Sequence, residues 1–209
     1  MSLAASLSVL AGMTDAIGFM ATGDYVSFMS GNTTRLAVAI SDGDLSTTSR
    51  LFLAISTFVA GNALGVVVAR FSGRRALPLL LSIGMLLCVA AAWPMGSQIF
   101  TIMTAILAMG MLNAAVEQVN GLPVGLTYVT GALSRFGRGL GRWMLGERRD
   151  GWRIQLVPWA GMFLGAVAGA LLESRLGINA LLVSAALAAL LGFLTLLIPH
   201  RWQRRYMPR

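Results

Sequence analysis

The run ALPLLLSIGMLLCVAAAWPMGSQIFTIMTAILAMGMLNAAV covers residues 76–116 and contains no Asp, Glu, Lys or Arg. A helix needs roughly 20 apolar residues to cross the hydrocarbon core of a bilayer, so this run is long enough for two spans. Similar charge-free runs occur at 51–69, 154–172 and 176–199. The sequence therefore predicts an all-α polytopic membrane protein.

The composition of the 209-residue chain supports this class. Hydrophobic residues make up 56% and charged residues 11%, with a mean hydropathy of +0.75, whereas soluble domains are about a quarter charged. The chain has one Cys and one His, too few for the usual zinc or haem sites or for Cys–His catalysis. We therefore expect no cofactor, no metal site and no enzymatic activity.

The net charge of +8 comes from sixteen basic residues, all of them Arg. Most cluster at the ends of the apolar runs, as the positive-inside rule expects of cytoplasmic loops. No soluble face is left for a nucleic-acid groove, so nucleic acid is excluded as a partner. The clusters are Arg70, Arg74 and Arg75; Arg138, Arg142, Arg148, Arg149 and Arg153; Arg201, Arg204, Arg205 and Arg209.

An internal repeat divides the chain into residues 1–98 and 99–209. GMTDA at 12–16 recurs as GMLNA at 110–114, and FMSGNTTRL at 28–36 recurs as YVTGALSRF at 128–136. In-register self-similarity of this kind indicates duplicated structural units. Further matched positions are Gly61, Gly65, Gly73, Ala76 and Leu77 with Gly165, Gly169, Gly177, Ala180 and Leu181.

Each repeat contains three apolar spans and one polar segment. The spans are predicted at about 3–21, 51–69 and 76–95, and at about 99–118, 154–172 and 178–198. The polar segments, 26–40 and 124–136, are too rich in Ser, Thr, Asn and Arg for a lipid-facing surface. They either cross the membrane, giving eight spans, or enter and return, giving six.

The Arg distribution favours six spans. If both polar segments are re-entrant, thirteen Arg fall on one side and only Arg35, Arg50 and Arg175 on the other. Both termini are then cytoplasmic. Three spans per repeat would place the second repeat upside down, the inverted plan of many secondary transporters, whose substrates bind at discontinuous helices near the midplane.

The equivalent residues Arg35 and Arg135 carry the candidate site. If Gly31 and Gly131 break their helices, freed backbone N–H groups and an Arg would face one cavity suited to an anion. Alternatively, each Arg reaches an interface or pairs with Asp15 or Glu117. The candidate substrate-binding residues are Gly31, Asn32, Thr33, Thr34, Arg35, Thr130, Gly131, Ser134 and Arg135.

Asp15 lies in the middle of the first span, and its repeat equivalent is Asn113. An ionisable group inside a span is costly and indicates function. Asp15 and Asn113 are therefore candidates for binding or coupling an ion, while a helix–helix hydrogen bond is the structural alternative.

The stretches AGMTDAIGF at 11–19, VSFMSGNTT at 26–34, GMLNA at 110–114 and TYVTG at 127–131 resemble the YoaK family. These are bacterial inner-membrane proteins with a domain of unknown function. The resemblance covers nearly the whole chain and implies a bacterial inner-membrane location, but it implies no substrate.

The sequence thus favours a small secondary transporter or facilitator for a small anionic solute. A passive ion channel on the same repeat and a structural or lipid-interacting membrane module are the alternatives. The expected partners are the lipid bilayer and a small solute or ion. Six spans are few for a transporter, which makes a homodimer plausible.

Overall fold

The computed structural model of the chain describes residues 2–73, 75–92, 97–114, 118–119, 122–123, 129–147 and 151–197. The described residues form an all-helical bundle with one two-residue antiparallel strand pair, β1 (Gln118–Val119) with β2 (Leu122–Pro123). The helices are α1 (Ser2–Thr22), α2 (Met29–Ser41), α3 (Leu45–Phe71), α4 (Ala76–Ala92), α5 (Gln98–Asn113), α6 (Val129–Met144), α7 (Leu156–Leu176) and α8 (Leu181–Leu194).

Short 3₁₀ segments flank the last two helices, at Trp152–Gln155, Gly177–Ala180 and Thr195–Leu197. Three helical stretches are long and apolar enough to cross a membrane: Leu3–Thr22, Leu45–Phe71 and Trp152–Leu197. The third stretch is 46 residues long and contains both α7 and α8. Two shorter apolar helices, Ala76–Ala92 and Gln98–Ala114, complete the apolar set.

The helix boundaries differ from the predicted spans mainly at polar starts and ends. Helix α3 begins six residues before the predicted 51, because Asp44 caps it by accepting a 3.0 Å hydrogen bond from the Thr47 amide. Helix α6 runs past the predicted 136 because Gly139 and Phe136 pack on Trp152. Residues 124–128 of that predicted segment lie outside the described residues.

Two close helix pairs form the framework, α1 with α7 and α3 with α5. Gly165 packs against the backbone of Val9, and Gly169 against that of Met13. Glycine at these positions lets two helix backbones touch, as in small-residue interfaces within membranes. Because the contact advances along both helices together, α1 and α7 run parallel.

The second pair repeats this arrangement with the matched residues of the sequence repeat. Gly61 packs against the backbone of Leu107, and Gly65 against that of Met111. Helices α3 and α5 therefore also run parallel. Helices α4 and α8 pack on each other, α4 also packs on α5, and α8 packs on α1. The core lies among these helices and is built from Leu, Ile, Met and Ala side chains.

Glycines at equivalent positions end the third helix of each half. Gly73 follows α3 with φ +63°, and Gly177 follows α7 with φ +57°. Glycine adopts this left-handed conformation without the penalty that a Cβ imposes, and it commonly ends helices for that reason. The two glycines thereby set where α4 and α8 turn back.

Candidate functional site

The chain leaving α1 turns back along the helix it has just left. Tyr25 stacks on Phe19, with ring centroids 4.7 Å apart and an angle of 15° between the planes. Further on, the backbone amides of Val26 and Ser27 each donate a 2.8 Å hydrogen bond to Oδ1 of Asp15. A residue in the middle of α1 therefore anchors the start of α2.

Helix α2 then runs back toward the end of α1. The Asn32 side chain binds the Tyr25 backbone twice, donating to its carbonyl at 2.7 Å and accepting from its amide at 3.3 Å. Arg35 donates to the Gly23 carbonyl and to Oδ1 of Asp24, both at 2.7 Å. Residues 23–41 thus form a hairpin in which the non-helical segment 23–28 lies against α1 and α2 packs on α3.

Asp24 ties this hairpin to the start of α3. Its side chain is 1% exposed and forms ion pairs with both Arg35 and Arg50. Arg50 lies near the beginning of α3, whereas Asp24 follows the end of α1. The end of α1 and the start of α3 are therefore at the same end of the bundle.

The glycine expected to break α2 lies inside it. Helix α2 is continuous from Met29 to Ser41, and the break in the backbone falls earlier, at residues 23–28. Gly31 is instead covered by the Phe28 and Tyr25 rings, which a Cβ would clash with. The prediction that Gly31 and Gly131 interrupt their helices is therefore wrong, since α6 is also continuous there.

At the equivalent positions of the second half, the polar contacts described are made to neutral partners. Arg135 donates a 2.8 Å hydrogen bond from Nε to Oε1 of Gln155, a neutral partner. Asn113 donates from Nδ2 to the Met109 carbonyl of its own helix at 3.3 Å. Ala132 is buried where Asn32 is buried in the first half. Glu117, another predicted partner, lies outside the described residues.

The starts of α2 and α6 open on one cavity of about 450 Å³. A pocket of this size falls within the usual range for small-molecule sites. Its wall at the two helix starts consists of Ser27, Phe28, Met29, Ser30, Val129 and Thr130. The remaining wall, from α3 and α7, consists of Phe58, Trp159, Met162, Phe163 and Ala166.

Among the predicted binding residues, Thr130 lines this cavity. The hydroxyls of Thr33 and Thr34 donate to the carbonyls of Met29 and Ser30 in their own helix. The two Arg engage other groups, as described above, and neither contributes to the described wall. Gly131 and Ser134 follow Thr130 on α6, away from that wall.

The alternative pairing of Asp15 with Arg35 is decided by these contacts. Asp15 accepts hydrogen bonds from backbone amides, while Arg35 pairs with Asp24, so an Asp15–Arg35 pair is not the arrangement found. Neither Asp24 nor Arg50 was among the candidate residues of the sequence analysis. The available signal was that Asp24 is one of only eight acidic residues in the chain and directly follows the first predicted span.

Several wall residues were also missed by sequence. The Ser27 hydroxyl is buried, forms no hydrogen bond of normal geometry with the described residues, and interacts with the nearby Asp15 carboxylate. Trp159 and Phe163, both partly exposed, lie with their rings parallel on α7, with centroids 5.6 Å apart and 8° between the planes. Their spacing of four residues on α7 is the available clue, because such residues share a helix face.

Comparison with known families matches residues 3–194 to the description "Protein of unknown function (DUF1275)". The chain is 52% identical over 208 residues to the UPF0700 transmembrane protein RA0705 of Rhizobium meliloti (strain 1021). That alignment covers 99% of this chain and 91% of the relative. No solved structure matches. The chain therefore belongs to the DUF1275 family and is a membrane protein with transmembrane helices.

Proposed function

We propose that this protein is a small secondary transporter or facilitator whose solute binds in the cavity between the starts of α2 and α6. The observation that carries the proposal is that both helix starts, from equivalent parts of the two repeats, line one cavity. Helix N-termini carry partial positive charge and unpaired N–H groups, so two of them favour an anionic group on the solute.

The proposed topology is six spans with two inverted repeats. The pairing of Asp24 with Arg50 supports a re-entrant α2, because it holds the end of α1 beside the start of α3. With α7 parallel to α1 and α5 parallel to α3, α2 and α6 would then run outward from the centre to opposite sides. Non-helical backbone such as residues 23–28 is tolerated at membrane depth when buried in protein.

The same directions support the proposed orientation. Arg70 and Arg75 would share one side with Arg138 and Arg142, whereas Asp42 and Asp44 would lie on the other. Under the positive-inside rule the Arg-rich side is cytoplasmic, which gives the bacterial inner membrane with both termini inside. A homodimer remains part of this proposal.

Asp15 is the proposed coupling group. Its carboxylate holds the amides of Val26 and Ser27 at the start of α2. A proton or cation bound to Asp15 would weaken these two hydrogen bonds and change the position of the cavity wall at Ser27. Asn113 has no exchangeable charge, so ion coupling would reside in the first half alone.

Accessibility of the cavity tests the proposed transport. In a Cys88→Ala background, Ala166→Cys would report on the cavity through its reaction with a membrane-impermeant maleimide applied from either side. Asp24→Asn removes the ion pairs that close one end of the bundle. We expect Asp24→Asn to increase labelling of the cysteine at position 166 from the side where the ion pairs lie, and to decrease its labelling from the opposite side. The reason is that access alternates between the two sides in such transporters.

The matched control is Leu171→Cys, which is exposed on α7 away from the cavity and should stay unlabelled from both sides. Labelling of Ala166→Cys from both sides, unchanged by Asp24→Asn, would indicate a channel and contradict transport. Labelling from neither side under any condition would indicate a structural module.

A further inference from the structure

The wall of the cavity is mainly apolar and partly flat. Trp159 and Phe163 lie parallel along α7, and Phe58 and Met162 continue the apolar wall. At about 30 Å³ per water, a volume of about 450 Å³ is far larger than a dehydrated inorganic anion. A ligand that fills it must bring an apolar body of its own, and a planar body would stack on the two rings.

The polar part of the wall is confined to the two helix starts. Ser27, Ser30 and Thr130 contribute hydroxyl groups there. Ser27 is 3% exposed, and its Oγ lacks a hydrogen bond of normal geometry within the described residues. Because the nearby Asp15 carboxylate can accept from the Ser27 hydroxyl, the groups that can serve a ligand are the hydroxyls of Ser30 and Thr130.

The polar end of the cavity suits a ligand group with a single negative charge. The described wall contains no Asp, Glu or Arg, so neither a strong cation site nor a clamp for a dianion is present there. Asp15 lies behind Ser27, and two amides already meet its charge. The same hairpin therefore binds a carboxylate of the protein itself, which demonstrates the chemistry available at the start of α2.

We infer that the cavity takes an organic monocarboxylate with a flat, apolar body, its carboxylate at the hydroxyls of Ser30 and Thr130 and its body on Trp159 and Phe163. This inference rests on the proposed transport function and gives it a substrate class. Aromatic walls also attract organic cations, but two helix starts oppose a positive charge at the polar end.

The test uses four probes of matched shape or charge: benzoate, benzamide, benzylammonium and acetate. Each is added while Ala166→Cys, in the Cys88→Ala background, reacts with the maleimide. Benzoate should protect the cysteine at least tenfold better than the other three. Thr130→Val keeps the shape but removes a hydroxyl, and it should weaken protection by benzoate about tenfold, the value of one hydrogen bond to a charged group.

Trp159→Leu should weaken protection by benzoate but leave the weak effect of acetate unchanged. Better protection by benzylammonium would overturn the inference in favour of a cation. Equal protection by benzamide would show that the negative charge is not required, and equal protection by acetate would show that the flat apolar body is not required. Protection by none of the probes would contradict both parts of the inference. None of these results affects the alternating labelling without ligand, which tests the transport proposal separately.

Discussion

The two halves of the molecule share a helix plan but anchor it differently. In the first half, Asp15 and Asn32 bind the backbone between α1 and α2, and Asp24 pairs with Arg35 and Arg50. Asn113 and Ala132 replace the first two groups in the second half. In the described residues, close glycine contacts between helices occur in both halves, whereas the charged contacts described near the cavity lie in the first half.

Under the proposed alternating access, this difference predicts which element would move. Helix α2 is fixed to α1 and α3 by charged groups, whereas the described contacts of α6 include one neutral bond to Gln155 and ring packing on Trp152. If access to the cavity alternates, the smaller barrier is expected on the α6 side. Substitutions at equivalent positions test the comparison directly.

The largest expected effect is at the glycine contacts, where the halves should behave alike. Gly165→Val and Gly61→Val would each drive a side chain into a backbone carbonyl, of Val9 and Leu107 respectively. Backbone cannot move aside as a side chain can, so each change should cost more than about 3 kcal/mol and abolish folded protein. Size-exclusion chromatography in detergent checks this.

Gly137→Val is the control for these variants, because among the described residues no atom beyond its own helix backbone and chain neighbours lies within 4 Å of a Cβ at that position on α6. It should cost little. Normal yields of folded Gly165→Val protein would contradict the close α1–α7 contact, and a difference between Gly165→Val and Gly61→Val would contradict the equivalence of the two pairs.

The second largest effect should separate the halves at Asp15 and Asn113. Asp15→Ala leaves the buried amides of Val26 and Ser27 without their charged acceptor and should cost about 3 kcal/mol. Asp15→Asn retains one acceptor oxygen and should recover part of this loss. Asn113→Ala should cost less, because hydrogen bonds of a neutral amide are weaker than those of a carboxylate. Thermal unfolding measures all three; equal losses at the two positions would refute the asymmetry.

A smaller difference is expected between the two Arg. Arg35→Gln removes an ion pair to a carboxylate that is 1% exposed, but the Arg side chain is 38% exposed, so the loss should be about 1–2 kcal/mol. Arg135→Gln removes a hydrogen bond to a neutral amide and should cost about 0.5–1 kcal/mol. A double-mutant cycle of Arg35→Gln with Arg50→Gln should show coupling through Asp24; additive losses would contradict it.

The smallest effect is a pH response at the turn before α3. Hydrogen bonds from the Thr47 side chain and amide lower the pKa of the exposed Asp44 carboxyl. Because the folded-state pKa is lowered, its stabilisation is present above the unfolded value near 3.8 and is lost as pH falls through the folded value. The protection factor of the Thr47 amide against hydrogen exchange should fall in acid, and Asp44→Asn, which still caps, should remove that dependence.

Much of the fold follows from sequence because the apolar runs and the matched glycines are local signals. The matches of Gly61 and Gly65 with Gly165 and Gly169 identify the residues that later touch backbone. The site was harder to predict from the sequence, because its anchoring contacts join residues that are far apart along the chain. Nothing local shows that Asp15 binds Val26, or that Asp24 reaches Arg50 across α2.

The cavity wall was missed for a related reason. Trp159 and Phe163 look like lipid-facing residues in an apolar helix. They line the cavity only because the starts of α2 and α6 line the same space. Gly31 was misassigned because a glycine in a polar run suggests a helix break, whereas here it makes room for the rings of Phe28 and Tyr25.

The most direct test of the account is the sidedness of the ends of α2 and α6. In a Cys88→Ala background, Ser46→Cys follows α2 and Leu145→Cys follows α6, and both positions are exposed. A membrane-impermeant maleimide should label Ser46→Cys only from outside the cell and Leu145→Cys only from the cytoplasm. Labelling of both from the same side would mean that α2 and α6 point the same way, which would contradict the inverted repeats and the meeting of their helix starts at one central cavity.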